Sequence, residues 1–102
     1  MEDKLNLVKK YSNPRQVAEN ALQYFGKHVP IYISTKPNSK YMIQNEQGKF
    51  VHFGLLPYED YTFHKDKERQ HRYLARAMKI RGRWAQNPYS ANNLSIFLLW
   101  SD

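Results

Sequence analysis

The side chains of this chain best suited to acid–base or metal chemistry are His52, Glu59, Asp60, His64, Asp66 and His71. A metal-dependent nuclease needs acids and a histidine converging on one divalent ion beside a basic channel, and those parts are present. Their spacing matches no known centre. His64 and Asp66 are two apart, and His64 and His71 lie two turns apart on neighbouring helix faces. Neither pair fits H-E-x-x-H or the histidine pairing of a zinc helix. "GLLPYEDY" has one glycine and no GK[ST], so it is not a phosphate loop. A structural account of the same residues is simpler. Asp60 or Thr62 caps a helix, Asp66 pairs locally, and acids favour a helix's positive end. No catalytic residue, metal ligand or cofactor is therefore assigned.

Charge is more informative. The net charge is +7, and the segment His64–Arg83 holds eight Lys/Arg against Asp66 and Glu68, a net of +6. Such asymmetry favours an anionic partner, nucleic acid before acidic protein or membrane. At 100° per residue, Lys65, Arg69, Arg72, Arg76, Lys79 and Arg83 fall within about 40° of one line on a helix running from near Thr62–His64 to Gly82. Tyr73, Leu74, Ala77, Met78, Ile80 and Trp84 form a separate apolar sector roughly 125° away. An exposed face built only for solubility normally mixes both signs at i,i+4 spacing. This ridge holds no acid, and four of its six cations are arginines, which suit bidentate phosphate contact. Tyr58, Tyr61 and Tyr89 sit in flanking loops, where they stack on bases or cover the core edge, and base stacking favours single strands.

The elements that must position these residues belong to one small domain. The chain has 102 residues, 41% hydrophobic and 15% aromatic, enough apolar area for a packed core. It has no cysteine, which excludes disulfides, thiolate zinc sites and cysteine nucleophiles. "MEDKLNLVKK" has no signal-peptide core, and the longest apolar stretch, "IFLLW", is far short of the roughly 20 residues of a membrane span. A soluble, non-secreted protein with no membrane partner is expected.

A charged lead over residues 1–11 precedes a single domain at 12–102. "SNPRQVAENALQYFGK" reads as a helix, with Ser12 or Asn13 as cap, Pro14 at its first position and Gly26 as stop. Val17, Ala18, Ala21, Leu22 and Phe25 give it one apolar face. "VPIYIST" reads as a strand, and "KYMIQ" and "KFVHFG" flank the five-residue hairpin loop "NEQGK". In the latter strand Phe50, His52 and Gly54 share one face, Val51 and Phe53 the other. "SANNLSIFLLW" suits a short helix capped by Ser90 better than a buried strand. The expected fold is α+β: an N-terminal helix, a small antiparallel β-sheet with a hairpin, a long basic helix and a short C-terminal helix.

Three elements then stand out together: His52-Phe53-Gly54; Asp60-Tyr61-Thr62 with His64-Lys65-Asp66, Arg69, Tyr73 and Arg76; and Leu98-Leu99-Trp100. Over about residues 40 to 100 this pattern, HFG…DYTxHKDxxRxxYxxR…LLW, resembles a family of small uncharacterised proteins of large eukaryotic double-stranded DNA viruses. Many of those proteins have a histidine where Ala77 stands. The resemblance implies a viral protein in the virion or in the cytoplasm or nucleus of the infected cell, and carries no activity with it. Residues and resemblance together give a non-catalytic protein binding nucleic acid, DNA first, through Lys65, Arg69, Arg72, Arg76, Lys79 and Arg83, with Tyr58 and Tyr61 beside them. His52, Asp60, Thr62, His64 and Asp66 are motif positions without an assigned role. The second reading is a minor structural capsid protein held by other virion proteins, and the third is the metal-dependent nuclease.

Overall fold

The computed structural model describes residues 3–101. Five short helices and a three-stranded antiparallel sheet, in the order β1-β2-β3, make up an α+β fold. Helix α2 (Pro14–Phe25) begins and ends where its residue types require. The Asn13 side chain accepts from the Gln16 N–H at 3.3 Å, Pro14 needs no partner for an N–H it lacks, and Gly26 closes the helix at φ 69°. Val17 and Ala21 are buried, whereas Leu22, expected on the apolar face, is half exposed. Asn20 takes a place in the core instead, because its amide donates to the Leu98 carbonyl at 2.9 Å.

Strand β1 (Ile31–Ile33) pairs with β2 (Ser39–Gln44), which pairs with β3 (Phe50–Leu55). Gln44 lies opposite Phe50 across the expected five-residue hairpin loop, and the Asn45 N–H bonds the Lys49 carbonyl at 2.8 Å. The alternation holds as well. Tyr41, Ile43 and Phe53 point into the core with Val51 against them, while His52 occupies the other face. The Ser90 side chain caps helix α5 (Ala91–Leu94) through the Asn93 N–H, and Ser95–Leu99 continue it as a wide π-helical turn. The apolar block that ends the sequence is thus a helix, and Leu94, Leu98 and Leu99 seal the core against α2 and the sheet. Tyr24 stacks on Phe97 and Phe25 on Tyr89, so Tyr89 closes the core edge.

Within the charged lead, α1 (Lys4–Val8) is capped by Asp3, and Val8 is fully buried in the core. The Lys4 ammonium also ties down the β1–β2 turn through the Ser34 and Lys36 carbonyls, at 2.6 and 2.7 Å. The single long basic helix is in fact two. Helix α3 (Tyr61–His64) stops at Lys65, whose φ of 56° is left-handed, and α4 (Lys67–Ala77) starts afresh with Asp66 as its cap. The Asp66 carboxylate accepts from the Glu68 and Arg69 N–H groups, so the chain restarts where an acid can satisfy two orphan donors. Helix α4 also ends early. Its last turn tightens through Lys79 N–H to Arg76 O and Ile80 N–H to Ala77 O, and the Asn92 side chain takes the Ala77 carbonyl. Met78 and Ile80, expected on a buried sector, are more than half exposed, and Trp84 belongs to a separate 3-10 turn (Trp84–Gln86). No helix among the described residues is long and apolar enough to cross a membrane.

Gly54 shows how closely the layers meet. It has φ 82°, and a Cβ there would sit 3.1 Å from Leu99 and from two carbons of the Lys40 stem. Both neighbours are fully buried and have no room to retreat. Gly54→Ala should destabilise the fold by about 1–3 kcal/mol, from backbone strain and crowding together. A lowered urea midpoint at unchanged slope is the expected reading; wild-type stability would contradict this account of the glycine.

Candidate anion-binding cleft

A cleft of about 780 Å³ opens between strand β3 and helix α4. One wall is the His52–Leu55 stretch of β3. The other carries Arg69, Arg72, Tyr73 and Arg76, and Asn92, Ser95, Leu99 and Trp100 close its base. Arginines at i, i+3 and i+7 share one face of α4, and here that face looks into the cleft. These three are the part of the sequence-derived ridge that the fold brings together.

The other three ridge residues do not join them. The Lys65 ammonium lies 5.3 Å from the Tyr61 ring centre, beyond the α3–α4 break, and Lys79 and Arg83 follow the end of α4. The ridge is not acid-free either. Arg69 pairs with Glu59 at 2.9 Å and Arg72 with Glu68 at 3.0 Å, whereas Arg76 forms no ion pair among the described residues. The Arg72–Glu68 pair is largely exposed and worth little. Tyr58 lines the cleft and is 64% exposed, as a stacking residue must be. Tyr61 is buried in α3 and has no free face to offer.

Of the motif residues without an assigned role, Asp60, Thr62, His64 and Asp66 are engaged in the fold, and His52 lines the cleft. Asp60 is fully buried, and its carboxylate accepts from the Lys40 ammonium at 3.1 Å and from both the N–H and the hydroxyl of Thr62. Lys40 is itself only 2% exposed. Because the Thr62 proton goes to Asp60, the neighbouring Ser12 hydroxyl must donate to Thr62, and it accepts in turn from the Tyr41 hydroxyl at 2.7 Å. A directed chain therefore runs from Tyr41 through Ser12 and Thr62 to the Asp60 carboxylate. Burial raises the Tyr41 pKa well above its ordinary value, which keeps that first donor protonated. Burial also pulls the Lys40 pKa below its ordinary 10.5, against the opposing attraction of Asp60.

His64 and Asp66 serve the α3–α4 turn. The Asp66 N–H donates to His64 Nδ1 at 2.9 Å, which leaves the ring proton on Nε2, a buried atom with no partner among the described residues. The His64 ring lies 5.2 Å from Trp100, whose indole stacks on Tyr73 at 4.2 Å and 7°. Desolvation first and the Arg69 charge second lower the His64 pKa, while Glu59, Asp66 and Asp60 oppose them. His52 bonds the Ser34 hydroxyl at 2.7 Å, and desolvation with Lys36 and Lys4 lowers its pKa too. The acids and histidines that suggested a nuclease are thus engaged separately, Asp60 by Lys40 and Thr62, Glu59 by Arg69, Asp66 by the N–H groups of α4 and His52 by Ser34. No group of three or more His, Asp or Glu that could hold a metal ion occurs among the described residues.

Sequence reasoning missed Lys40, and the signal was there. A lysine directly across from a glycine, in a strand pair with a buried face, has the vacant Cβ position to run along. The contact of the Lys40 stem with Gly54 is that arrangement.

Two measurements test the buried network and the turn. Asp60→Ala leaves the Lys40 ammonium buried without a counter-charge and should cost about 3–5 kcal/mol. The loss should shrink as pH rises toward 10.5, because the folded state then holds a neutral amine more easily. Lys40→Met with Asp60→Asn should lose less than Asp60→Ala alone. A pH-independent loss, or a double variant no better than the single one, contradicts an ionised buried pair. For His64 the folded pKa lies below 6.5, so below that pH the unfolded chain takes up a proton that the folded chain refuses. Stability should fall as pH drops from 6.5 through the folded pKa, and His64→Gln should flatten that slope, leaving the part due to His52. Urea midpoints across pH 7.5 to 4.5 read this, and an unchanged slope in the variant rules it out.

Among known proteins, no curated protein and no solved structure matches this chain. A family model does: residues 29–77, just under half of the chain and spanning β1 to the end of α4, are similar to a family of unknown function, DUF5754.

Proposed function

We propose that this chain is a non-catalytic nucleic-acid-binding protein that grips DNA through Arg69, Arg72 and Arg76 of α4, with Lys65, Lys79 and Arg83 extending the contact along the backbone. The observation that carries the reading is the cleft itself: three arginines on one helix face line a concavity of about 780 Å³ within the segment that holds most of the net charge. Guanidinium groups match phosphate oxygens bidentately, and a concave wall with an excess of positive charge concentrates polyanions. The resemblance of residues 40 to 100 to proteins of large eukaryotic double-stranded DNA viruses makes viral DNA the natural ligand, in the virion or the infected cell.

A second reading has its own support. Leu55, Tyr58, Met78 and Ile80 are each more than half exposed, as side chains waiting for a protein neighbour are. In that reading the chain is a minor structural component of a capsid, and a fixed copy number in purified particles is its mark.

Arg72 and Arg76 are the residues to change, because Arg69 is already paired with Glu59. Arg72→Glu with Arg76→Glu should abolish retention of a 30-nucleotide DNA in a gel-shift assay without lowering the melting temperature. In the wild type, log affinity should fall linearly with log salt, by about 0.7–0.9 in slope for each phosphate neutralised. Undiminished retention by the folded double variant, or binding indifferent to salt, defeats the proposal.

A further inference from the structure

The charge of α4 alone would suit any polyanion, but the cleft beside it is more selective. A duplex does not account for it, because duplex bases are stacked out of reach and duplex phosphates lie on a convex surface. The cleft also has more aromatic and polar lining than phosphate contact requires. Its volume of about 780 Å³ lies within the range of small-ligand sites. The Tyr73 ring lines it, held flat against Trp100 at 4.2 Å, and Tyr58 lines it with 64% of its surface free. Backing one ring with another fixes its orientation before a ligand arrives, so little freedom is lost on stacking.

The polar groups complement this. Arg76, with no ion pair among the described residues, stands about one helical turn from Tyr73 and supplies a phosphate contact within reach of a stacked ring. His52 and Asn92 line the same space with donor and acceptor atoms of the kind a base edge needs. The Ser34 hydroxyl already engages His52 Nδ1, so the ring offers the cleft its Nε2.

We infer that the cleft binds one unstacked nucleotide, its base against Tyr58 and Tyr73 and its phosphate on Arg76. The inference rests on the nucleic-acid reading for its natural source, a single strand or a frayed end, although a free nucleotide has the same chemistry. The consequence is a strand preference: single-stranded DNA binds more tightly than duplex of equal length, because only the single strand supplies a base to the cleft.

The test uses the full chain carrying Trp84→Phe, so that the fluorescence of Trp100 reports on the cleft. The probes are a 20-nucleotide single strand, the matching 20-base-pair duplex, and a free deoxynucleoside monophosphate, each with and without excess polyglutamate. The expected result is quenching by single strand and by nucleotide, and about tenfold tighter binding of single strand than of duplex. Tyr58→Ala, at an exposed position where folding is not at risk, should weaken single-strand binding about tenfold and leave duplex binding unchanged. Equal affinity for the two DNA forms, or a Tyr58→Ala variant that binds as wild type, overturns the inference and leaves the DNA-binding proposal standing. Displacement of all three probes by polyglutamate overturns it too, by showing a site for charge alone. Quenching by the free nucleotide without retention of either DNA keeps the cleft assignment and overturns the DNA-binding proposal. No binding of any probe removes both.

Discussion

The Lys40–Asp60 pair is the constraint on which the rest of the fold depends. Two opposite charges removed from water must be fully satisfied or they are intolerable, and satisfaction here draws on three remote pieces of chain. Lys40 comes from β2, Asp60 and Thr62 from the start of α3, and Ser12 and Asn13 from the segment entering α2. The Asp60 N–H reaches the Tyr11 carbonyl as well, at 3.0 Å. A buried pair of this kind contributes little net stability compared with apolar residues of the same volume. What it does is penalise every arrangement in which the pieces are not together. In a domain of 102 residues with a small core, that selectivity is worth more than another leucine.

Fixing Asp60 also decides what α4 can do. With the start of α3 locked to the sheet and Asp66 restarting the helix, α4 leaves at an angle instead of continuing α3. It returns to the body of the protein through Gln70 on the Trp100 carbonyl, Tyr73 on the Trp100 ring, and Ala77 on Asn92. Space is left between α4 and β3, and the arginines face it. A straight helix from His64 to Gly82 would have presented six cations to solvent along a ridge. The broken one presents three to a cavity. The change is from an open ridge to a recess with walls, a base and aromatic lining.

Most of the fold was legible in the sequence because its signals are local. Asn13-Pro14 and Gly26 mark the ends of α2, the alternation of β3 sorts Phe53 from His52, and Ser90 announces the C-terminal helix; each involves residues within a turn or two of each other. The break at Lys65 was local too, in the form of Asp66 ahead of Glu68, but the helical periodicity of the cations ran straight across it. A 100° repeat aligns residues whether or not the backbone between them is continuous. The early end of α4 was less accessible, since it depends on Asn92, fifteen positions away. The pairs Arg69–Glu59 and Lys40–Asp60 are tertiary facts that no spacing rule reaches.

The same division separates the motif from the site. Asp60, Thr62, His64 and Asp66 look like chemistry because they are polar, sharply spaced and close in sequence, and Gly54 shares their motif. Each instead meets a demand of folding: a close approach, a buried charge, a hydroxyl relay, a turn, a helix cap. Residues that meet such demands are engaged by the fold itself, and His64 Nε2, which has no partner among the described residues, is buried. The side chains with capacity to spare are Tyr58, Arg76 and the exposed rim of Arg72, which the frame holds up without consuming. In a chain this small, the invariably engaged residues build the cleft, and the ones that fold without strong partners are those through which it would bind.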